Sequence, residues 1–295
     1  MPNQVEILKQ LSGHSGCKVY LCRDKKRHFI RKFSGDVNYN SRLQKQVDKQ
    51  NLLRKIILDS QIQNVKVPEV YEIGYHNDFF YFDMEYIVGM TLTDFIPTAK
   101  IRDVSSASYC ISEILSTLKQ YHFHRFDKEN EVDIRSVFLK KIMDLEKRFK
   151  VRGIFHDYEC SFLELSKLPL LCNQLRPTHC FGDLSLDNII ISNAKELTFI
   201  DTLDSFFESY LMDVSKFLMD LESGWSFRFV NVDENTRMRM YVLKESFCES
   251  IDKLNINWSL LNLLKLMHAM RIIPYTEDES SLALLNRYID QMSCA

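Results

Sequence analysis

The sequence predicts an α+β fold, with strands at the beginning of the chain and helices over most of the rest. Residues 68–88 contain two runs rich in aromatic and β-branched residues around a short polar turn, which predicts a β-hairpin. Apolar residues recur at helical spacing in residues 105–122 and again within residues 237–292. We therefore expect a β-rich domain over residues 1–85 and a mainly helical domain over residues 86–295.

The first strands are predicted to form another hairpin, with glycines in the turn that precedes it. Gly13 and Gly16 lie in a turn that runs into a strand, and an alternating strand follows at residues 28–33. Glycines at a loop tip allow backbone N–H groups to approach a phosphate chain, and Lys32 would then lie near it. A surface hairpin with a basic tip explains the same residues, and Arg31 competes with Lys32 for this role.

The segment of residues 180–191 carries the most specific chemical signal in the chain. Asp183 and Asn188 are five positions apart, the spacing at which a kinase catalytic loop places its proton acceptor and a ligand of Mg²⁺. A predicted hairpin after Asn188 would bring Asp201 to the same end, so that Asn188 and Asp201 face one metal ion. Because Gly, Asp and Asn are also the commonest turn residues, a purely structural turn is the alternative.

Taken together, these segments resemble the aminoglycoside phosphotransferase and choline kinase superfamily. The similarity rests on residues 84–92, on residues 181–188 and on Asp201, and it extends over about residues 8–221. Members of this superfamily are bilobal, ATP-dependent small-molecule kinases related in fold to protein kinases. The resemblance implies a bilobal protein-kinase-like fold, ATP and Mg²⁺ as cofactors, and transfer of the γ-phosphoryl group to a hydroxyl of a sugar, amino sugar or amino alcohol.

The resemblance also implies roles for the residues that match the superfamily's motifs. Asp183 would be the catalytic base. Asn188 and Asp201 would bind Mg²⁺, and Lys32 would contact the phosphates of ATP. The other nucleotide-binding residues would shape the phosphate loop or line the adenine edge through backbone groups: Gly13 and Gly16 in the loop, Glu85 and Tyr86 at the adenine.

Two positions depart from the superfamily's pattern. Phe181 stands where a histidine usually precedes the Gly-Asp pair. The first helix, residues 43–56, should carry a glutamate that pairs with the strand lysine, but Gln50 occupies the aligned position. Gln50 offers a hydrogen bond without a charge, so either the lysine is held less strongly or Asp48 takes the role. A non-catalytic nucleotide-binding regulator is therefore the alternative function, and a protein kinase is a weaker one because the chain lacks the glycine of D-F-G.

An acidic and aromatic stretch follows Asp201. Asp204 and Glu208 would help to hold a cationic or polyhydroxyl acceptor, and a solvated acidic surface explains them equally well. Phe206 and the neighbouring aromatic residues would either stack on the acceptor or fill the core of the domain. Asp213, at the start of the next helix, is expected to form a structural bond near the catalytic loop.

The charge, apolar segments, cysteines and histidines of the chain bear on its binding partners, its cellular compartment and possible metal sites. The formal net charge of −2 provides no general attraction to nucleic acid or acidic lipid. The chain shows no signal-peptide pattern and no uncharged apolar run of the ~18 residues that span a bilayer, so we expect a cytoplasmic protein. The eight cysteines form no C-x-x-C pair and are expected to be reduced. His122 and His124 suggest a metal site, but a helix end explains them better.

Overall fold

Strands lie at the beginning of the chain and helices fill most of the remainder, which confirms the predicted α+β class. The structure is a computed structural model that describes residues 5–11, 16–25, 27–121 and 133–293. The strands are β1 (Glu6–Leu11), β2 (Cys17–Arg23), β3 (His28–Ser34), β4 (Val65–Lys66), β5 (Val70–His76), β6 (Phe79–Glu85), β7 (Met90–Thr91), β8 (Ile189–Ile191) and β9 (Leu197–Phe199). The helices are α1 (Asn40–Ser60), α2 (Leu92–Phe95), α3 (Ile101–Gln120), α4 (Ile134–Val151), α5 (Glu159–Leu165), α6 (Leu168–Leu171), α7 (Tyr210–Ser223), α8 (Glu234–Asp252), α9 (Trp258–Ile272) and α10 (Glu279–Ser293).

The chain divides into two compact units. The first contains Met1–Met90 and Ile189–Asp204, and the second contains Thr91–Asn188 and Ser205–Ala295. The chain therefore leaves the first unit and later returns to it for sixteen residues, counting from 189 to 204. The predicted division near residue 85 takes no account of this return.

The first strands form a five-stranded antiparallel sheet of order β1-β2-β3-β6-β5. Strands β5 and β6 form the hairpin that the sequence predicts in residues 68–88. Its two turn residues, Asn77 and Asp78, have φ angles of 49° and 66°. Asn and Asp tolerate this left-handed backbone, and it matches the twist of a two-residue hairpin turn.

Helix α1 packs on one face of this sheet. Leu43 and Val47 of α1 are buried with Phe80 of β6 in the core of the first unit. Residues three and four apart share a helix face, so the same packing carries Gln46 and Gln50 to the buried side of α1. Both amides are almost fully buried, at 2% and 1% exposure.

A smaller sheet of order β4-β9-β8-β7 contains the second predicted hairpin. Strands β8 and β9 are antiparallel, with Ile189 opposite Phe199 and Ile191 opposite Leu197. Strand β4 runs parallel to β9 along its other edge. The segment that carries Asp201 begins directly after β9.

The second unit is mainly helical, and α7 is its most buried long helix. Helix α7 packs against α3, α8, α9 and α10. The helix begins after Ser209, whose hydroxyl accepts a hydrogen bond from the N–H of Leu211, and it ends before Gly224, which has a φ of 72°. Phe217 of α7 meets Phe247 of α8 edge-on, with ring centroids 5.0 Å apart. This helix therefore forms a rigid support for residues that bond to it.

Some sequence candidates lie outside the described residues: Gly13, His122 and His124. The seven cysteines within the described part of the chain are not joined to one another by disulfides. Burial raises the pKa of Cys22 and Cys110, so both are protonated at neutral pH. Over the same residues, no helix is long and apolar enough to cross a bilayer.

Candidate active site

The segment predicted to be a catalytic loop is held by two carboxylates of α7. Asp213 accepts hydrogen bonds from the backbone N–H groups of Phe181, at 2.5 Å, and Gly182, at 2.8 Å. Asp220, two turns later, accepts a hydrogen bond from the backbone N–H of Leu186 at 2.8 Å. Both ends of the loop are therefore fixed to one buried helix, as expected for Asp213.

Asp183 and Asn188 lie side by side in this loop. The Nδ2 group of Asn188 donates to the backbone oxygen of Asp183 at 2.8 Å and lies 3.4 Å from its carboxylate Oδ2. The backbone N–H of Asn188 donates to the carbonyl of Ser185 at 3.1 Å, which closes the turn. Because the NH₂ group of Asn188 is used within the loop, its amide oxygen is the atom suited to bind a metal ion. The side chain of Asp183 is 35% exposed, so a substrate can reach it.

Lys216 is a candidate site residue that sequence reasoning missed. Its Nζ lies 3.4 Å from Oδ1 of Asp183, and only 12% of its side chain is exposed. Lys216 follows Asp213 by three residues and precedes Asp220 by four, so all three share the face of α7 that meets the loop. The sequence holds that signal, because Asp213 is expected near the catalytic loop. A nearly buried cation therefore stands beside the candidate base.

In the first unit, Lys32 and Asp201 form an ion pair. Nζ of Lys32 on β3 lies 2.6 Å from Oδ1 of Asp201, and Nε2 of Gln46 on α1 donates to the same oxygen at 2.7 Å. Burial raises the pKa of Asp201, but the Lys32 ammonium and the hydrogen bonds from Lys32 and Gln46 outweigh it. The pKa of Asp201 therefore lies below its ordinary value, and the carboxylate is ionised at neutral pH.

Strand β3 separates its two neighbouring cations. Successive side chains of a strand point to opposite faces, so Arg31 and Lys32 cannot serve the same site. Arg31 makes a bidentate salt bridge with Asp83 of β6, at 2.7 and 2.8 Å. The structure therefore brings Lys32, and not Arg31, to Asp201.

The structure places Gln50 away from Lys32. Its Nε2 group donates to the carbonyl of Pro68 at 2.9 Å, and its Oε1 atom is buried with no hydrogen-bond partner among the described residues. Asp48, the alternative partner for Lys32, is exposed on the surface of α1. The α1 side chain that reaches the Lys32 ion pair is Gln46, one helical turn before Gln50.

The other described candidates for nucleotide binding are Gly16, Glu85 and Tyr86. The carbonyl of Gly16 accepts a hydrogen bond from the N–H of Gly35 at 2.9 Å, and a Cβ on Gly35 would lie only 2.4 Å from that oxygen. This close approach requires glycine at position 35. The N–H of Glu85 donates to the carbonyl of Glu69 at 2.8 Å, so it is already used within the protein. Tyr86, which follows β6, is 39% exposed.

The two acidic acceptor candidates are both engaged with other residues. Asp204 forms a surface ion pair with Lys45, at 3.4 Å. Glu208 accepts hydrogen bonds from the backbone N–H of Ser205 at 3.0 Å and from the thiol of Cys180 at 3.1 Å. Glu208 thus ties its own loop to the residue that precedes the catalytic loop.

No family model matches the sequence, and comparison with curated proteins gives no match either. The fold, in contrast, is similar to solved structures of aminoglycoside phosphotransferases. A thermostable mutant of APH(4)-Ia, in ternary complex with AMP-PNP and hygromycin B, has a TM-score of 0.65 at 13% identity over 98% of this chain and 94% of that one. The streptomycin–ATP complex of APH(2'')-IIa has a TM-score of 0.60 at 15% identity over 97% and 92%. ADP-bound APH(2'')-Ib has a TM-score of 0.59 at 15% identity over 98% and 93%.

The chain has the aminoglycoside phosphotransferase fold. This confirms the protein-kinase-like fold that the sequence predicts. The candidate residues divide between the two units. The second unit carries Asp183, Asn188 and Lys216, and the first unit carries Lys32 and Asp201.

The expected metal ligands provide oxygen atoms, which suit Mg²⁺ in this fold. Among the described residues, no group of three or more His, Cys, Asp and Glu side chains could hold a metal ion. The predicted ligands are instead the amide of Asn188 and the carboxylate of Asp201. Because these residues belong to different units, their binding of one shared ion stays a prediction.

Proposed function

We propose that the protein is an ATP- and Mg²⁺-dependent phosphotransferase that moves the γ-phosphoryl group to a hydroxyl of a small molecule. The observation that carries this proposal is the arrangement of Asp183 and Asn188 on a loop fixed to α7. It occurs on a fold whose solved examples include complexes with AMP-PNP, ADP and ATP. Phosphoryl transfer needs positioned charges more than covalent chemistry, and this arrangement supplies them.

Asp183 is the proposed general base. Its carboxylate is exposed enough to receive a hydroxyl group, while Asn188 and the α7 bonds restrict its position. It would accept the hydroxyl proton as the oxygen becomes the nucleophile. Lys216, 3.4 Å away, places a positive charge beside the charge that develops on this side of the reaction.

Lys32 and Asp201 are the proposed contacts for the nucleotide and its metal ion. The donor types fit, because an ammonium binds phosphate oxygens and a carboxylate ionised at neutral pH binds Mg²⁺. When bound, Mg·ATP supplies the phosphoryl group and neutralises part of its charge. Gln46 orients the Asp201 carboxylate, and the amide oxygen of Asn188 is the second proposed ligand.

A nucleotide-binding regulator without catalysis is the second candidate. The observation that favours it is Gln46, a neutral residue where α1 meets the Lys32 ion pair. Lys32 is bonded to Asp201 and has no carboxylate partner from α1, so fewer negative charges hold it than in the superfamily's pattern, where a glutamate of the first helix pairs with the strand lysine. The ordered pair of Asp183 and Asn188 favours catalysis over this alternative, because a regulator would not require a positioned base.

An acceptor screen with Mg·ATP tests the proposal. Sugars, amino sugars and amino alcohols are incubated with the protein, and mass spectrometry detects products heavier by one phosphoryl group, about 80 Da. We expect at least one product, and we expect Asp183→Asn to keep Mg·ATP binding but to lose about 10²- to 10⁴-fold in turnover. Full turnover by the variant would show that Asp183 is not the base. Nucleotide binding with no product from any acceptor would favour the regulator.

A further inference from the structure

The second unit contains a cavity of about 620 Å³ between α8, α10 and the turn that follows α7. Helix α8 contributes Arg237, Tyr241 and Lys244, which share one face of the helix because they are three and four residues apart. Helix α10 contributes Arg287, and the turn contributes Arg228. We call this space the α8–α10 cavity. Its volume is that of a small-molecule binding site.

The charged groups that line the α8–α10 cavity are four cations and one carboxylate. The carboxylate belongs to Glu222, and it is already neutralised. Nζ of Lys265 donates to its two oxygens at 3.1 and 2.8 Å, and the hydroxyl of Tyr288 donates to Oε2 at 2.9 Å. Arg237 and Arg287 form no ion pair with any of the described residues. Positive charge therefore exceeds negative charge in the lining, and a cleft lined by one sign of charge attracts ligands of the other.

Neighbouring residues position the other two cations, Arg228 and Lys244. Nζ of Lys244 lies 3.4 Å from the carboxylate of Glu245, in a largely exposed pair of modest strength. The guanidinium carbon of Arg228 lies 4.3 Å from the ring centroid of Trp225 and 4.6 Å from that of Phe229. Its Nη1 donates to the carbonyl of Trp225 at 3.0 Å. Because the rings and this bond restrict the guanidinium, it loses less entropy when its Nε and Nη2 groups bind an anion.

Apolar side chains stand beside these cations. Val230 and Tyr241 line the cavity and are exposed, and Phe229 next to them is exposed as well. Leu284 of α10 adds a partly buried apolar wall. Large apolar side chains exposed together are typical of binding surfaces. A ligand that fits this lining carries an apolar body as well as its charge.

The α8–α10 cavity is separate from the proposed catalytic residues of the second unit. Neither Asp183 nor Asn188 belongs to its lining. One carboxylate nevertheless joins the two places, because Asp220 accepts hydrogen bonds from Ser226 in the turn and also holds the end of the catalytic loop. A ligand of the cavity thus binds near the loop without contacting the proposed base.

We propose that the α8–α10 cavity binds a small organic anion, in which a phosphate or carboxylate group is joined to an apolar body. Arg237, Arg287 and the restricted Arg228 bind the charged group, since a guanidinium matches the oxygens of both phosphate and carboxylate. Tyr241 and Val230 pack against the apolar body. This site does not depend on the proposed phosphotransfer reaction.

Calorimetry on the full chain without nucleotide tests the proposal with four probes: naphthyl phosphate, naphthoate, neutral naphthyl glucoside and inorganic phosphate. We expect naphthyl phosphate to bind about 10-fold or more tightly than the glucoside, the usual worth of a charge-assisted hydrogen bond. It should also bind more tightly than inorganic phosphate, because its ring packs on the apolar wall. The comparison with naphthoate shows whether phosphate or carboxylate is preferred.

Arg237→Gln and Arg287→Gln should each weaken the binding of naphthyl phosphate by about 10-fold and leave that of the glucoside unchanged. Both arginines are exposed and have no ion-pair partner among the described residues, so we expect both variants to fold. Arg135→Gln is the matched control, because Arg135 is an exposed arginine of α4 outside the lining. Thermal unfolding of each variant confirms that it is folded.

Four results would overturn the inference. The first is that no anionic probe binds, and the second is that the neutral glucoside binds as tightly as naphthyl phosphate. The third is that the variants at Arg237 and Arg287 bind naphthyl phosphate as the Arg135 control does. The fourth is that Lys32→Gln removes the binding while the arginine variants keep it, which would place the anion at the proposed nucleotide site. None of these results bears on Asp183, because the test uses neither ATP nor an acceptor.

Discussion

At the scale of single residues, Asp201 has a strained backbone conformation and a carboxylate whose pKa is lowered by its neighbours. Its φ is 57°, in the left-handed region that costs an ordinary side chain free energy. Its carboxylate is held by Lys32 and Gln46, which lower its pKa despite burial. The lowered pKa means that the ion pair favours folding, but the left-handed backbone costs free energy that a residue with no further use need not incur. We therefore interpret both properties as signs of metal binding.

Replacement of Asp201 by alanine tests that interpretation. We expect Asp201→Ala to weaken nucleotide binding by about 10-fold or more when Mg²⁺ is present, because the carboxylate acts through the ion. With EDTA in place of Mg²⁺, binding should change little, because the carboxylate then has no metal ion through which to act. Calorimetry under both conditions measures the two effects. Asp59→Ala, at an exposed position of α1, is the control, and equal losses with and without Mg²⁺ would mean that Asp201 is structural.

The two buried glutamines of α1 should respond differently to a carboxylate. Gln46→Glu replaces the amide that donates to Asp201 with a second carboxylate within reach of Lys32, so we expect a change of several-fold in turnover and in the KM of Mg·ATP, with a loss of stability from the repulsion between the two carboxylates. Gln50→Glu buries a carboxylate beside the carbonyl of Pro68 with no cation to pair with it. We expect it to lower the free energy of unfolding by about 3 kcal/mol or more.

Urea unfolding and steady-state kinetics on both glutamine variants separate the two outcomes. A kinetic effect of Gln50→Glu without loss of stability would mean that Gln50 acts on the nucleotide site after all. Unchanged kinetics in Gln46→Glu would show that the Lys32 ion pair does not control turnover.

At the scale of elements, α7 fixes both ends of the catalytic loop through hydrogen bonds. Asp213 binds the start of the loop and Asp220 binds its end, where it also accepts hydrogen bonds from the N–H and hydroxyl of Ser226 at 2.8 and 2.7 Å. Burial raises the pKa of Asp220, although these bonds oppose the shift. The loop's position thus depends on how α7 is packed, and α9 packs against it.

The contact of α9 with α7 contains a histidine that makes stability depend on pH. His268 is 5% exposed and bonds to the backbone of Met212, while its Nε2 has no partner among the described residues. Burial, followed by the charges of Arg271 and Lys216, holds the pKa of His268 well below its ordinary value. In the unfolded chain a histidine binds a proton with a pKa of about 6.5. Below it the unfolded state holds more protons, so the free energy of unfolding falls as the pH falls, by up to about 1.4 kcal/mol per pH unit.

We therefore expect His268→Met to lose less stability than the parent protein between about pH 7 and pH 5. Urea unfolding at a series of pH values measures the difference. Asp220, whose pKa is raised, acts in the opposite sense, but it is present in both proteins and cancels from the comparison. His156→Gln is the control, because the side chain of His156 is 88% exposed. Parallel pH curves for His268→Met and the parent would contradict the prediction.

At the scale of the whole molecule, the sequence predicts the elements whose patterns are local. The β5-β6 hairpin is marked by alternating aromatic residues around the Asn77-Asp78 turn. The β8-β9 hairpin and α7 are marked by equally short patterns of apolar residues. Asp183 and Asn188 are found because their spacing in one loop is itself the signal.

Local sequence patterns do not reveal the residues whose role depends on packing between distant segments of the chain. Gln46 and Gln50 are four residues apart on one face of α1, and only the approach of Asp201 to that face distinguishes them. Lys216 becomes a candidate site residue only because α7 crosses the loop and brings its Nζ to Asp183. The parallel pairing of β4 with β9 joins residues more than a hundred positions apart, which no local pattern encodes.

The return of Ile189–Asp204 to the first unit has a consequence for protein synthesis. A ribosome releases the chain from its N-terminus, and domains ordinarily fold as their last residues emerge. Here the first unit is incomplete until residue 204 has been made, because β8, β9 and Asp201 all come from the later stretch. Lys32 therefore stays without its ion-pair partner while the whole of Thr91–Asn188 is translated. The nascent protein cannot assemble the Lys32–Asp201 pair, and with it the proposed nucleotide site, before most of its length exists.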